Sequence, residues 1–180
     1  MLCCYGLLLN LETANYQEAQ EALGGALAIA QREGDAALEI RALTNAADVD
    51  FYHLRWPEVL EKSLQAIELA RRANDFYAEV WPRYLAASAL WAMGDCEGMA
   101  AHASAMLEQA EKLRNRGFLA NALVVNAGVA HMRGDWQTAR HFCDRALAVA
   151  PHWFWPLACR TLLEFETGDF DQGEIFMERP

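Results

Sequence analysis

Lysine is nearly absent from this chain: of its 180 residues only Lys62 and Lys112 are lysines, and neither follows a run of glycines. A phosphate-cradling loop needs both, so nucleotide binding of that kind is excluded from this segment. Basic residues as a group are also scarce, 15 against 25 acidic ones, and a net charge of −10 repels a nucleic-acid backbone instead of neutralising it. No basic residue precedes Arg32, so the apolar opening from Leu2 to Leu11 lacks the positive head of a secretory signal. That opening contains Asn10 and falls well short of the roughly 20 apolar residues of a membrane span. No membrane association is expected, and the predicted compartment is the cytoplasm. The five cysteines, Cys3, Cys4, Cys96, Cys143 and Cys159, form neither a CxxC pair nor a zinc-finger spacing, and are predicted to be reduced thiols acting as small core residues. HExxH, GxSxG and the local signatures of cysteine enzymes are missing too. Neither catalytic residues nor a cofactor are expected.

What the chain does have is repetition. Tyr16, Trp56, Cys96 and Trp136 stand one 40-residue period apart, and Ala30, Ala70, Ala110 and Ala150 repeat behind them. Alanine is common here, filling 33 positions, so the neighbouring columns carry the weight. Leu27, Ile67, Leu107 and Leu147 form one apolar column, and Ala19, Val59, Met99 and Ala139 form another. A period of this length means stacked supersecondary units, each covering the apolar flank of the one before. With 54% hydrophobic residues, a packed core is assured.

Within each unit the pattern resolves into helices. Ala19, Leu23, Ala26, Leu27 and Ala30 recur at helical spacing and predict a helix from Tyr16 to about Glu33. Gly34-Asp35 stops it and caps a second helix, about Ala36 to Leu54; Trp56-Pro57 turns the chain into a third, about Pro57 to Arg72. The same stop-and-cap signal returns at Asn74-Asp75, Gly94-Asp95, Gly134-Asp135 and Gly168-Asp169. Pro82 and Pro156 each lie fourteen residues before a hinge, Cys96 and Phe170. Pro156 is expected in a first turn; Pro82 predicts either a helix start or a kink. β-branched residues are sparse, and no strand is predicted.

The last interval shortens to 34 residues, from Trp136 to Phe170, with Pro151 ending a helix early. Gly134-Asp135-Trp136-Gln137-Thr138-Ala139, followed by Cys143, Ala146 and Pro151, resembles the second half of a tetratricopeptide repeat, and Gly168-Asp169-Phe170 begins another. The 40-residue copies are similar to the longer repeats of bacterial regulators of the maltose-activator and LuxR type, and of cyclase-linked ATPases. The usual Leu-Gly pair is replaced by Ala46-Ala47, Ala86-Ala87 and Asn126-Ala127, which still permit close packing. The resemblance implies an all-α, right-handed solenoid of antiparallel helix pairs, about four repeats plus partial ends. It implies a single domain over residues 1–180, with units near 1–34, 35–74, 75–115, 116–152 and 153–180. Leu7, Leu8, Leu9, Phe176 and Met177 give the ends no polar outer face, so the chain is expected to be a fragment of a longer array or to self-associate through an end.

In such solenoids the first helix of each pair lines a concave groove. The matching positions are Arg41, Thr44, Asp48, Phe51 and Tyr52; Trp81, Tyr84, Ser88 and Trp91; and Asn121, Val124, Gly128, His131 and Met132. The frequent aromatics suit a protein or peptide partner or a small effector, and equally suit packing between repeats. Thr44, Tyr84, Val124, Asp48, Ser88 and Gly128 stand where a clamp for a terminal carboxylate would need basic and amide groups, so no such clamp is expected. Arg41 and Arg83 are predicted to be solvated. Asp48, Asp50 and His53 are the nearest approach to a metal site, yet a polar face touching solvent explains them more simply; His131, Asp135 and His141 straddle a turn and lack a third positioned ligand. The leading functional reading is a non-catalytic interaction or sensing module of a bacterial signalling or transcription-regulatory protein. A free-standing adaptor and, last, an enzyme with an unrecognised site are the alternatives.

Overall fold

A computed structural model describes residues 1–13 and 15–179. Among them every regular element is a helix: α1 (Leu2–Thr13), α2 (Tyr16–Glu33), α3 (Ala36–Tyr52), α4 (Trp56–Arg72), α5 (Phe76–Ala92), α6 (Cys96–Leu113), α7 (Arg116–Met132), α8 (Trp136–Val149), α9 (Phe154–Thr167) and α10 (Phe170–Met177). The chain divides into two compact units, Met1–Met93 with α1 to α5 and Gly94–Pro180 with α6 to α10.

The turns set the spacing of these helices. From α2 to α8 a helix begins at residues 16, 36, 56, 76, 96, 116 and 136, one every 20 residues. Two residues ahead of each start from Ala36 onward sits a left-handed residue: Gly34, Leu54, Asn74, Gly94, Arg114 and Gly134, and Gly168 stands likewise before Phe170. A left-handed residue after the last turn reverses the chain while returning backbone N–H groups to carbonyls that have lost their helical partners. The same closing bond recurs: Asp35 N to Ala30 O, Asp75 N to Ala70 O, Asp135 N to Ala130 O and Asp169 N to Glu164 O are each 2.9 Å. The aspartate then caps the next helix, accepting from Leu38 N, Ala78 N, Gly98 N, Thr138 N or Gln172 N in turn.

Several expected boundaries shift for physical reasons. The second predicted helix ends at Tyr52 instead of Leu54, because Leu54 takes the left-handed conformation. Its successor opens on Trp56, with Pro57 next, where a missing N–H costs nothing. Pro82 neither starts a helix nor stands in a first turn; it lies within α5. Pro156 is the third residue of α9, inside the first turn. α8 stops at Val149, shorter than α2, α4 and α6, and Pro151 follows it.

In the first unit α3 directly approaches both α1 and α5 while α2 and α4 do not approach each other; in the second, α7 and α9 approach in the same way and α6, α8 and α10 do not. Close approach follows from small residues: Ala42, Ala46, Ala47, Ala86 and Ala87 are buried on α3 and α5. The odd-numbered helices therefore form the inner layer of each unit. Ala19, Val59, Met99 and Ala139 are buried, as are Ala30, Ala70 and Ala110; Ala150 departs from its column as the partly exposed cap of the shortened α8. Of the apolar ends, Phe176 is buried against Leu147 and Leu157, contrary to expectation, with the Arg160 and Arg179 guanidinium groups over its ring, whereas Met177 is exposed. The side chains of Leu8 and Leu9 lie outside the described residues.

All five cysteines are free. Cys3 and Cys143 are core residues as predicted, while Cys4 is exposed. Burial pushes the Cys143 thiol up to about 12 and that of Cys159 up to about 11. Among the described residues, no helix is long and apolar enough to cross a membrane.

Candidate functional site

Residues three or four apart on α3 and α5 share a stripe, and the close approach of these helices brings two stripes side by side on the inner layer of the first unit. Arg41, Tyr52, Trp81 and Trp91 are exposed there, the three aromatics by 56, 36 and 50%. Phe51, Asp48 and Ser88 are half-buried. Thr44 and Tyr84, expected to line a groove, are buried instead: Thr44 turns its hydroxyl onto Ile40 O at 2.7 Å, and Tyr84 stacks on Trp81 with ring centroids 4.9 Å apart. Burial pushes the Asp48 carboxyl up to about 6, a shift that the neighbouring Trp81 indole only partly offsets. Burial, then the Asp48 charge, raises the Tyr52 phenol. Asp48, Tyr52 and Trp81 thus form one group across two helices.

The corresponding stripe on α7 differs. Asn121 and Val124 are buried, Gly128 offers no side chain, and Met132 is half-buried. His131 pairs with Glu166 of α9 and tilts against the Trp136 ring at 5.4 Å. Between α6, α7 and α8 lies a half-open pocket of about 150 Å³ lined by Ala100, Asn126, Ala130, Phe142 and the exposed Arg133 and Asp135 among others.

Three carboxylates are buried and ion-paired. Asp50 accepts from Tyr16 Oη at 2.8 Å, Gln20 Nε2 at 2.9 Å and Lys62 Nζ at 2.5 Å, joining α2, α3 and α4. Its full burial corrects the expectation of a solvent-touching polar face. Glu79 takes Arg83 Nη2 at 2.5 Å, so Arg83 is buried in an ion pair where a solvated residue was expected. Glu164 accepts from Arg140 Nη2 at 2.7 Å, with Arg160 Nε 2.7 Å away. Arg140, followed by burial and Arg160, shifts the Glu164 carboxyl, and the net direction is downward. Sequence reasoning passed over these polar cores, yet the repeat register held the signal: Asp50 shares a column with Leu90 and Ala130, and Glu164 occupies the same place after the shortened interval.

The suspected metal sets are not assembled. Asp50 is committed to its donors, His53 lies edge-on to Tyr16 at 4.9 Å, Asp135 caps α8, and His141 faces Phe142 at 6.1 Å. Among the described residues, no group of three or more His, Cys, Asp or Glu side chains could hold a metal ion.

Paired helices on a fixed spacing, small-residue columns and an inner layer carrying the exposed aromatics define a helical-repeat protein of the tetratricopeptide-like class. A solved structure sharing this fold is that of BtubC (BKLC) from P. vanneervenii, with a TM-score of 0.79 over 96% of this chain and 74% of that one, at 16% identity. A tetratricopeptide repeat protein from Parabacteroides merdae matches 98% of this chain and 76% of its own at a TM-score of 0.47 and 15% identity. Likeness at these identities speaks of the fold alone. No family model matches the sequence, and no curated protein does.

Proposed function

We propose that this chain is a non-catalytic binding module that receives a protein segment on the inner layer of its first unit. The observation that carries this reading is the stripe of exposed Tyr52, Trp81 and Trp91 on α3 and α5, beside the buried Thr44 and Tyr84. Large, rigid side chains with a polar tip give contact area at small entropic cost, and they dominate interface energetics. The long repeats resemble those of bacterial signalling and transcription regulators, which favours a cytoplasmic regulatory context over a free-standing adaptor. Binding there would bias the packing of neighbouring helices, since stacked repeats flex through many small interfaces.

Affinity capture from bacterial lysate, quantified for wild type beside a Tyr52→Ala, Trp91→Ala double variant, tests this. Both side chains are exposed, so the variant is expected to keep its melting temperature and lose most of the captured partner. Equal recovery by the two proteins would remove the aromatic stripe from consideration.

A further inference from the structure

Asp48 differs from the buried, ion-paired carboxylates. Asp50, Glu79 and Glu164 each have a lysine or arginine against them. Asp48 is half-buried beside the neutral Trp81 indole, and no ion pair offsets its charge among the described residues. A carboxylate withdrawn from water without a counter-ion is destabilising unless something supplies the missing charge. Around it stand the exposed rings of Tyr52 and Trp81, whose faces attract cations. Trp91 continues the stripe ten residues along α5, about 15 Å farther, more than a small amine would cover. The chain's net charge of −10 also draws basic partners towards it.

We propose that the inner layer of the first unit captures an extended basic segment of another protein, one lysine or arginine of which sets its cationic head on Asp48 and its aliphatic stem against Tyr52 and Trp81. This rests on the binding reading above and names the chemistry of the partner. An incoming ammonium or guanidinium supplies the charge that Asp48 lacks. Removing the carboxylate should weaken binding about tenfold or more, as expected for a charge-assisted hydrogen bond in a shielded site.

The test is panning of a random peptide library displayed on phage against the full chain, then against Asp48→Asn and the Tyr52→Ala, Trp91→Ala double variant, each checked for folding by circular dichroism. Enrichment of lysine or arginine in the recovered peptides, with affinity lost in Asp48→Asn and regained at no other carboxylate, supports the proposal. Peptides that need Tyr52 and Trp91 but carry no basic residue, or bind Asp48→Asn unchanged, overturn the role of Asp48 and leave the aromatic face standing. Recovery of no peptide, or only of peptides indifferent to the double variant, overturns both. Trp81→Ala, which removes a ring that would receive the aliphatic stem, gives a second reading if Asp48→Asn fails to fold: unchanged affinity there for basic peptides counts against the proposal.

Discussion

The junction of α2, α3 and α4 in the first unit and that of α6, α7 and α8 in the second hold equivalent positions and opposite contents. Gln20, Asp50 and Lys62 fill the first with a polar knot. Eighty residues on, Ala100, Ala130 and Phe142 stand in their places and line a half-open pocket of about 150 Å³. The helix spacing is the same around both. Turn chemistry and the small-residue columns therefore set the backbone, while the side chains at each junction are free to tie, fill or leave a gap. A repeat of this kind separates the geometry of its scaffold from the composition of any one interface.

The largest break in that comparison is Asp50→Ala. It leaves the Lys62 ammonium, the Tyr16 hydroxyl and the Gln20 amide without their shared acceptor, and should cost the first unit about 3 to 5 kcal/mol in urea unfolding. A loss below about 1 kcal/mol would show the polar knot to be dispensable.

pH separates the ion-paired Glu164 from Asp48, which has no ion pair among the described residues. Glu164 titrates below its ordinary range in the fold, so its contribution is present at neutral pH and is lost as the pH falls through its lowered pKa. Asp48 titrates the other way: with its folded value raised to about 6, protonation favours folding, and the penalty of its charge grows from about pH 4 and is complete above about pH 6. Asp48→Asn should raise the melting temperature above pH 6 and leave it unchanged near pH 4, whereas Glu164→Gln should flatten the acid limb of the curve. A wild-type and Asp48→Asn difference independent of pH would contradict the first expectation.

Smaller effects sharpen the contrast. Ala130→Val adds apolar contact in the half-open pocket of the second unit and loses helix propensity in α7, so stability is expected to change by less than about 0.5 kcal/mol, read from the denaturation midpoint. Leu54→Gly tests the turns. Leu54 holds φ 57 with its side chain mostly exposed, so removing the left-handed strain should gain about 0.5 kcal/mol after the added freedom of the unfolded chain is subtracted. Gly34→Ala, at φ 68 with open space around its Cβ position, should shift stability the opposite way by a similar amount.

Helices and their order were legible because periodicity and turn residues act locally: Gly34-Asp35, Asn74-Asp75 and Gly134-Asp135 each reverse the chain by their own backbone preferences. Leu54 and Arg114 were not legible as left-handed residues, since neither type favours that conformation and only the 20-residue spacing marks them. Their strain is sustained by the packing on either side. The candidate face was legible by position and not by exposure. Thr44, Tyr84, Asn121 and Val124 share its register but are buried, because whether a side chain on an inner layer packs or protrudes depends on neighbours far away in sequence. The buried Asp50 and Arg83 were missed for the same reason: charge suggests solvent until a partner is seen across the helix interface.

The thiols of α8 and α9 carry a consequence for watching this molecule move. Alkylating reagents attack thiolate, and both Cys143 and Cys159 are kept protonated by their surroundings, while Cys4 stands in the open. Mass-resolved labelling over time would show Cys4 modified at once and Cys143 only as fast as the second unit breathes, so one untouched polypeptide supplies both the stopwatch and its zero mark.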